Sequence, residues 1–317
     1  MALALAVPMS KASRVRTPLK DVTAFVKRVR SILKKKESTL GISISEVYLG
    51  GSLGQETSLP AHFDVDLCIY SPSLHPSTKE ASEEQYKFIL GRTIKCLRHS
   101  MTDIKNIERL YHGWRFETSN LNIDLQLSPQ WKKQSLEDLY DYLKGMHPKR
   151  RNLFCCGLFK YQTMLVKSQP QQVKTLIKRF KAWRNRTWDK QKNGCPKSYL
   201  LSMLVLISYK HAPAELAQAE SLEELAKWMT KDIKKLVESI AINQDLDIHV
   251  PGENPVIMEK YGHYLPEKPR IIDPSNPYKN LYKHGVCQIE PQKKDSFPKR
   301  WQLFLREIHN LDLTVDF

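Results

Sequence analysis

Residues 50–70, GGSLGQETSLPAHFDVDLCIY, decide the fold. Phe63, Val65, Leu67, Ile69 and Tyr70 favour a strand, and successive strand side chains point to opposite faces, so Asp64 and Asp66 share one. Two neighbouring carboxylates in a fold interior repel each other and lose hydration, which is tolerable only with a cation or protons between them. An oxygen-only ligand set suits a hard ion such as magnesium. The Gly50-Gly51-Ser52 turn ahead of them supplies backbone N–H groups and a hydroxyl of the kind that cradles a triphosphate.

A third carboxylate lies further along. In NLNIDLQLSP, Ile123, Leu125 and Leu127 alternate with Asn122, Asp124 and Gln126, which predicts a half-buried strand with Asp124 on its polar face. If that strand pairs beside the first, three carboxylates converge. Each part alone is weak, because GGS is often just a turn and D-x-D also occurs by chance, in calcium loops or on surfaces. Their order and strand context make the combination specific.

The 317 residues suffice for a bilobed unit or two domains, with 41% hydrophobic and 26% charged residues typical of a globular protein. Fifty Lys plus Arg against 34 Asp plus Glu give a formal charge of +16, which points to a polyanionic partner. Scattered cysteines, one in the aspartate strand, imply a reducing compartment, and the vicinal Cys155–Cys156 with His147 upstream is poorly spaced for zinc. The N-terminal MALALAVPMS has no basic leader and its apolar run stops at Pro8, so neither a signal peptide nor a membrane span is expected, and residues 1–17 read as a disordered start.

DVTAFVKRVRSILKKK predicts an amphipathic helix whose polar face carries Lys27, Arg28, Arg30, Lys34, Lys35 and Lys36. A strand at ISEVYLGGS, a helix over residues 78–99, and strands near IKNIERLY, WRFETS and LNIDLQL complete an α/β lobe over residues 18–150. After KGMHPKRRN the pattern turns helical: QQVKTLIKRFKAW, an all-round apolar SYLLSMLVLISYK, SLEELAKWMTKDIKKLVESIAI and PKRWQLFLREI. A proline-rich stretch from VPGENP through IIDPSNPYKN reads as irregular. The helical lobe spans residues 151–317, and a cleft is expected between the lobes.

The glycine-serine turn followed by acidic residues on adjacent strands resembles the nucleotidyltransferase superfamily that includes DNA polymerase beta, where two magnesium ions lower the pKa of the attacking hydroxyl and stabilise the leaving pyrophosphate. GGSLGQETSLPAHFDVDL further resembles the animal oligoadenylate synthetases, and the likeness continues through NIDLQLSP, VKTLIKRFKAW, PKSYLLSMLVL and NPVIMEKYGHYLPEKPRIIDPSNP to the last helix, over about residues 20 to 310. KPRIIDPSNP discriminates most, since generic nucleotidyltransferases do not share it. The resemblance is thus to the group joining oligoadenylate synthetases with cyclic GMP-AMP synthase-like receptors, enzymes that make nucleotide second messengers when double-stranded nucleic acid docks on a basic surface.

The resemblance implies a bilobed α/β + α nucleotidyltransferase fold of the polymerase-beta type, monomeric and cytoplasmic, with its site in the cleft. Gly50, Gly51 and Ser52 would hold the donor triphosphate. Asp64, Asp66 and Asp124 would be catalytic and ligate two Mg2+ ions, with Mn2+ the alternative and no zinc. Lys181 matches a lysine that contacts triphosphate oxygens, although a lysine in such a run is equally a solvated one. Ser198 matches a phosphate contact, and Tyr199 a ring that stacks on the donor base, with core packing at a helix start the alternative. Lys27, Arg28, Lys34, Lys35 and Lys36, with Lys167 and Lys174, would form the activator surface for double-stranded RNA.

One departure stands out. Where the synthetases carry a lysine and a glycine after the glycine-serine turn, this chain has Gln55 and Glu56. No counterpart of the zinc insertion of the DNA-sensing cyclic GMP-AMP synthase is present, which favours RNA over DNA as activator. The expected product is a cyclic dinucleotide made from ribonucleoside triphosphates including ATP. The alternatives are linear 2′-5′ oligoadenylate, a catalytically silent RNA-binding member, and a transferase that tails RNA ends.

Overall fold

The computed structural model describes residues 19–59, 64–74, 83–110, 113–130, 136–146, 151, 155–188, 194–218, 221–249, 265–287 and 296–315. The expected disordered start, Phe63, VPGENP and His147 lie outside the described residues, as do the side chains of Cys155 and Cys156.

Helix α1 (Leu19–Lys35) buries Val22, Phe25, Val29 and Leu33, the apolar stripe its period predicts. A short α2 (Glu37–Leu40) leads to β1 (Glu46–Leu49), α3 (Gly51–Gly54) and β2 (Val65–Ser71). Then come α4 (Glu83–Ser100), β3 (Lys105–Arg109), β4 (Gly113–Glu117) and β5 (Asn122–Pro129). The sheet order is β1-β2-β5-β4-β3, with β2 and β5 parallel and the other neighbours antiparallel. Helices α1 and α4 cover one face, so Val65, Leu67, Ile69, Ile123, Leu125 and Leu127 enter one core with them, leaving the alternate positions for the site.

Past α5 (Leu136–Lys144), a second core is built by α6 (Phe159–Lys167), α7 (Gln171–Thr187), α8 (Ser198–His211) and α10 (Leu222–Ile242), closed by α12 (Phe297–Ile308), with the short α9 (Ala214–Gln218) linking α8 to α10 outside it. Helix α8 is buried from Leu200 through Ser208, as its uninterrupted apolar run predicts. Between α10 and α12 lie β6 (Asp247–Ile248), β7 (Arg270–Asp273), β8 (Asn276–Asn280) and α11 (Leu281–His284).

IIDPSNPYKN is therefore not irregular: β7 and β8 pair antiparallel around Pro274-Ser275. The prolines sit at the turn and in short strands, where a missing N–H donor costs little, and Asp273 closes the turn by accepting from Ser275 N at 3.0 Å. Among the described residues no helix is long and apolar enough to cross a membrane.

Candidate active site

Two glycines let the turn sit against the aspartate strand. Gly51 has φ +54°, and a Cβ there would lie 1.8 Å from Asp66 Oδ2. A Cβ on Gly50 would lie 2.0 Å from Phe159 Cε1, so that ring caps the turn. Gly50 N donates to Asp66 O at 2.9 Å, fixing the turn to β2. As the first turn of α3, the amides of Gly51, Ser52 and Leu53 have no intrahelical acceptor, and among the described residues no backbone carbonyl takes them.

The parallel register sets Asp66 directly beside Asp124. Asp64 stands exposed at the entry to β2. Loss of hydration first, then the charges of Asp124 and Asp64, push the Asp66 carboxyl up to about 7. A divalent cation would relieve this crowding, although among the described residues no three carboxylate, imidazole or thiol groups converge closely enough to hold one as they stand. The protein itself partly compensates: Arg115, opposite Asp124 on β4, donates from Nε to Oδ1 and from Nη2 to Oδ2, both at 2.7 Å. Each Asp124 oxygen keeps a second lone-pair direction for a cation. Arg115 escaped sequence reading, yet the tight connection between WRFE and NID, closed by Thr118 and Leu121, is the signal that sets it opposite Asp124.

The opposite wall is basic. Lys181 is 3% exposed rather than solvated, and its Nζ donates to Thr57 Oγ1 at 2.7 Å and Thr57 O at 3.3 Å, beside the glycine-serine turn. Burial first, then the Arg184 charge, lowers its pKa to about 7. Arg184, one turn further along α7, donates from Nη1 to Ser198 Oγ at 2.8 Å. Its remaining acceptors are Asn185 Oδ1 and Pro196 O, so no carboxylate of the described residues neutralises it, and burial lowers its pKa. Thr57 and Arg184 are further members that the sequence reading missed. Tyr199 is half-buried and packs against the helical core, as its alternative reading expected; its hydroxyl donates to Asp273 Oδ1 at 2.8 Å, and Lys279 Nζ lies 5.6 Å from its ring centre.

Beside Asp64 and Arg115 opens a polar cleft of about 650 Å³, lined also by Asn106, Glu108, Glu117 and Asn122. One side of the aspartates is thus cationic and the other mainly acidic and amide-bearing.

On α1 and just after it, Lys27, Arg28, Lys35 and Lys36 are exposed, as is Lys34, which pairs with Glu37 at 2.9 Å. Lys174 is corrected: it is 8% exposed and its Nζ donates to Glu56 Oε2 at 2.6 Å, so it is withdrawn from any nucleic-acid surface. Lys167 lies 3.5 Å from the other oxygen of Glu56 and stays largely exposed. Both lysines hold the glycine-serine loop to the helical lobe, and they lower the Glu56 pKa, Lys174 chiefly.

Residues 26–125 match the nucleotidyltransferase domain family. No curated protein sequence matches significantly. Among solved structures, Escherichia coli MS115-1 CdnC, as a complex with HORMA-deltaN, is similar at 16% identity, covering 93% of this chain and 84% of that one, with a TM-score of 0.54. Terminal uridylyl transferase 4 from Trypanosoma brucei with bound dUTP follows at 14%, 92%, 94% and 0.51. The Elizabethkingia meningoseptica CdnE cyclic dinucleotide synthase with GTP and Apcpp gives 13%, 94%, 95% and 0.51. These likenesses establish the polymerase-beta-like nucleotidyltransferase fold across the chain, from the sheet to the last helix.

Proposed function

We propose that the protein is a double-stranded-RNA-activated nucleotidyltransferase that makes a cyclic dinucleotide messenger from ribonucleoside triphosphates. The observation that carries the reading is the register pairing Asp66 with Asp124 beside a glycine-serine turn packed on the same carboxylate. The resemblance through IIDPSNP narrows it to the messenger-forming group, and the CdnE likeness is compatible with that choice.

The electrostatics orient the substrates. A donor triphosphate belongs on the cationic side, against the Gly51–Leu53 amides, the Ser52 hydroxyl, Lys181 and Ser198, with the base toward Tyr199. Arg184 occupies a lone pair of Ser198 Oγ, leaving that hydroxyl's proton to point at a phosphate oxygen. The acceptor's ribose belongs beside Asp124, at the cleft where Glu108 and Glu117 would turn the acceptor's own triphosphate away from the acidic lining. Mg2+ held by Asp64, Asp66 and Asp124 would make the acceptor hydroxyl more acidic and stabilise the leaving pyrophosphate. Arg115 keeps Asp124 oriented toward the acceptor while the site fills. The exposed face formed by Lys27, Arg28, Lys34, Lys35 and Lys36 would meet RNA phosphates, with Lys167 at the lobe junction.

The test is to incubate the purified protein with the four labelled ribonucleoside triphosphates and magnesium, with and without long double-stranded RNA or DNA, and resolve the products. A phosphatase-resistant dinucleotide formed only with RNA is expected. A ladder from ATP alone would assign a 2′-5′ oligoadenylate synthetase, and extension of the RNA itself a tailing transferase. No product under any condition would refute the enzymatic reading and leave a silent RNA-binding protein.

A further inference from the structure

The IIDPSNP stretch, the most discriminating part of the sequence, has no task in the reaction as described so far. Its aspartate is fully buried, yet none of its partners among the described residues is a cation. Neutral donors satisfy Asp273 instead: Tyr199 OH at 2.8 Å and Ser275 Oγ at 2.7 Å, with Ser275 N at 3.0 Å, all on Oδ1, and Gln162 Nε2 at 2.9 Å on Oδ2. A buried carboxylate without a cation is costly, and its hydrogen bonds are correspondingly strong and directional.

Those partners come from separate elements. Tyr199 begins α8, Ser275 belongs to the β7–β8 turn, and Gln162 lies on α6 one turn from Phe159, the ring that caps Gly50. The turn is steadied from the α/β side as well, where Tyr140 OH donates to Pro274 O at 3.3 Å. The Tyr199 ring is thus fixed at its hydroxyl end by a group that is itself tied to the helix contacting the phosphate-binding turn.

We propose that Asp273 is a positioning residue: by holding the Tyr199 hydroxyl it fixes the plane on which the donor base stacks, and through Gln162 it keeps that plane in register with the Gly50–Ser52 turn. This rests on the donor-site reading above. An aromatic ring held at its polar end presents one face to a base without losing rotamer entropy on binding, so affinity for the donor depends on a residue that does not touch it.

The test uses the full chain and the triphosphate of 2-aminopurine riboside, whose fluorescence is quenched by stacking, with calcium replacing magnesium so that no transfer occurs. Wild-type protein is expected to bind the probe and quench it, and Tyr199→Ala to abolish the quench. Tyr199→Phe keeps the ring but loses the bond to Asp273. It and Asp273→Ala, which removes the acceptor, should each weaken probe binding and raise the KM for ATP about tenfold, with kcat changed far less and the quench reduced. The double variant should be little worse than Asp273→Ala, because both remove the bond between the Tyr199 hydroxyl and that carboxylate. If Asp273→Ala unfolds, Tyr199→Phe decides alone, since Ser275 and Gln162 still satisfy the carboxylate. Wild-type quench and KM in Tyr199→Phe would overturn the inference while sparing the donor site. Absence of binding or quench by the wild type would sink the donor-site reading and this inference with it.

Discussion

Replacing Lys181 by methionine should make the protein more stable and unable to hold its donor. The lysine is buried against Thr57, with its pKa lowered from 10.5 to about 7. At about 1.4 kcal/mol per unit, forcing the charged form into the fold costs on the order of 4 kcal/mol at neutral pH. Methionine removes that charge and keeps the side-chain length, but it abandons the bonds to Thr57, at a cost of about 1–2 kcal/mol. The net is a gain of about 2 kcal/mol, or about 3 °C in the thermal midpoint of a chain this size.

The sign is checked by pH. A depressed lysine binds fewer protons folded than unfolded between about pH 7 and 10.5, so wild-type stability rises through that window and the variant's advantage shrinks. The assay is thermal unfolding at pH 7 and pH 9.5, with and without ATP and calcium. A hundredfold excess of ATP over its Kd adds about 2.7 kcal/mol to the wild type. The variant should lose most of that increment. A variant less stable than wild type at pH 7, an advantage that ignores pH, or a full ATP shift would each refute the reasoning.

Asp64→Asn with Asp66→Asn should abolish product while leaving the midpoint no lower than wild type, since two crowded charges are removed; retained turnover would refute the site. Asp66, whose folded pKa of about 7 exceeds the usual aspartate value of 3.8, contributes stability below about pH 4 that is lost as pH rises through 7. Asp66→Asn should flatten that decline in metal-free unfolding scans. Arg184→Gln should weaken ATP binding about tenfold by direct titration, because one desolvated cation leaves the phosphate wall. Reversing Lys34, Lys35 and Lys36 to Glu should remove RNA stimulation and reduce the salt dependence of RNA binding, with basal activity unchanged; undiminished stimulation places the activator elsewhere.

What the sequence made legible is what short-range periodicity encodes. Alternation placed Asp66 and Asp124 on the polar faces of neighbouring strands with Asp64 just ahead of the first, the 3.6-residue period found α1, α7 and α12, and an uninterrupted apolar run found α8. The lysines of α7 were a different matter. Lys174, Lys178 and Lys181 look alike along the helix, and only the loop packed against it distinguishes them: Glu56 meets the first and Thr57 the last. Glu56, noted from sequence only as a departure from the synthetases, is paired with Lys174 and Lys167. The β7–β8 hairpin was hidden by its prolines, because its ordering comes from Asp273 and the side chains converging on it rather than from strand propensity.

Phe159 covering Gly50 bears on how this protein can evolve. A methyl group at position 50 needs a smaller residue at 159, but Gln162 on the same helix is committed to Asp273, and Asp273 to Tyr199. These positions are linked by direct contacts, so a substitution at one is expected to cost more than at a site outside the set. Altered base preference is therefore expected to arise at sites outside that set, such as Lys279 or the walls of the acidic cleft, where a single substitution meets no such veto.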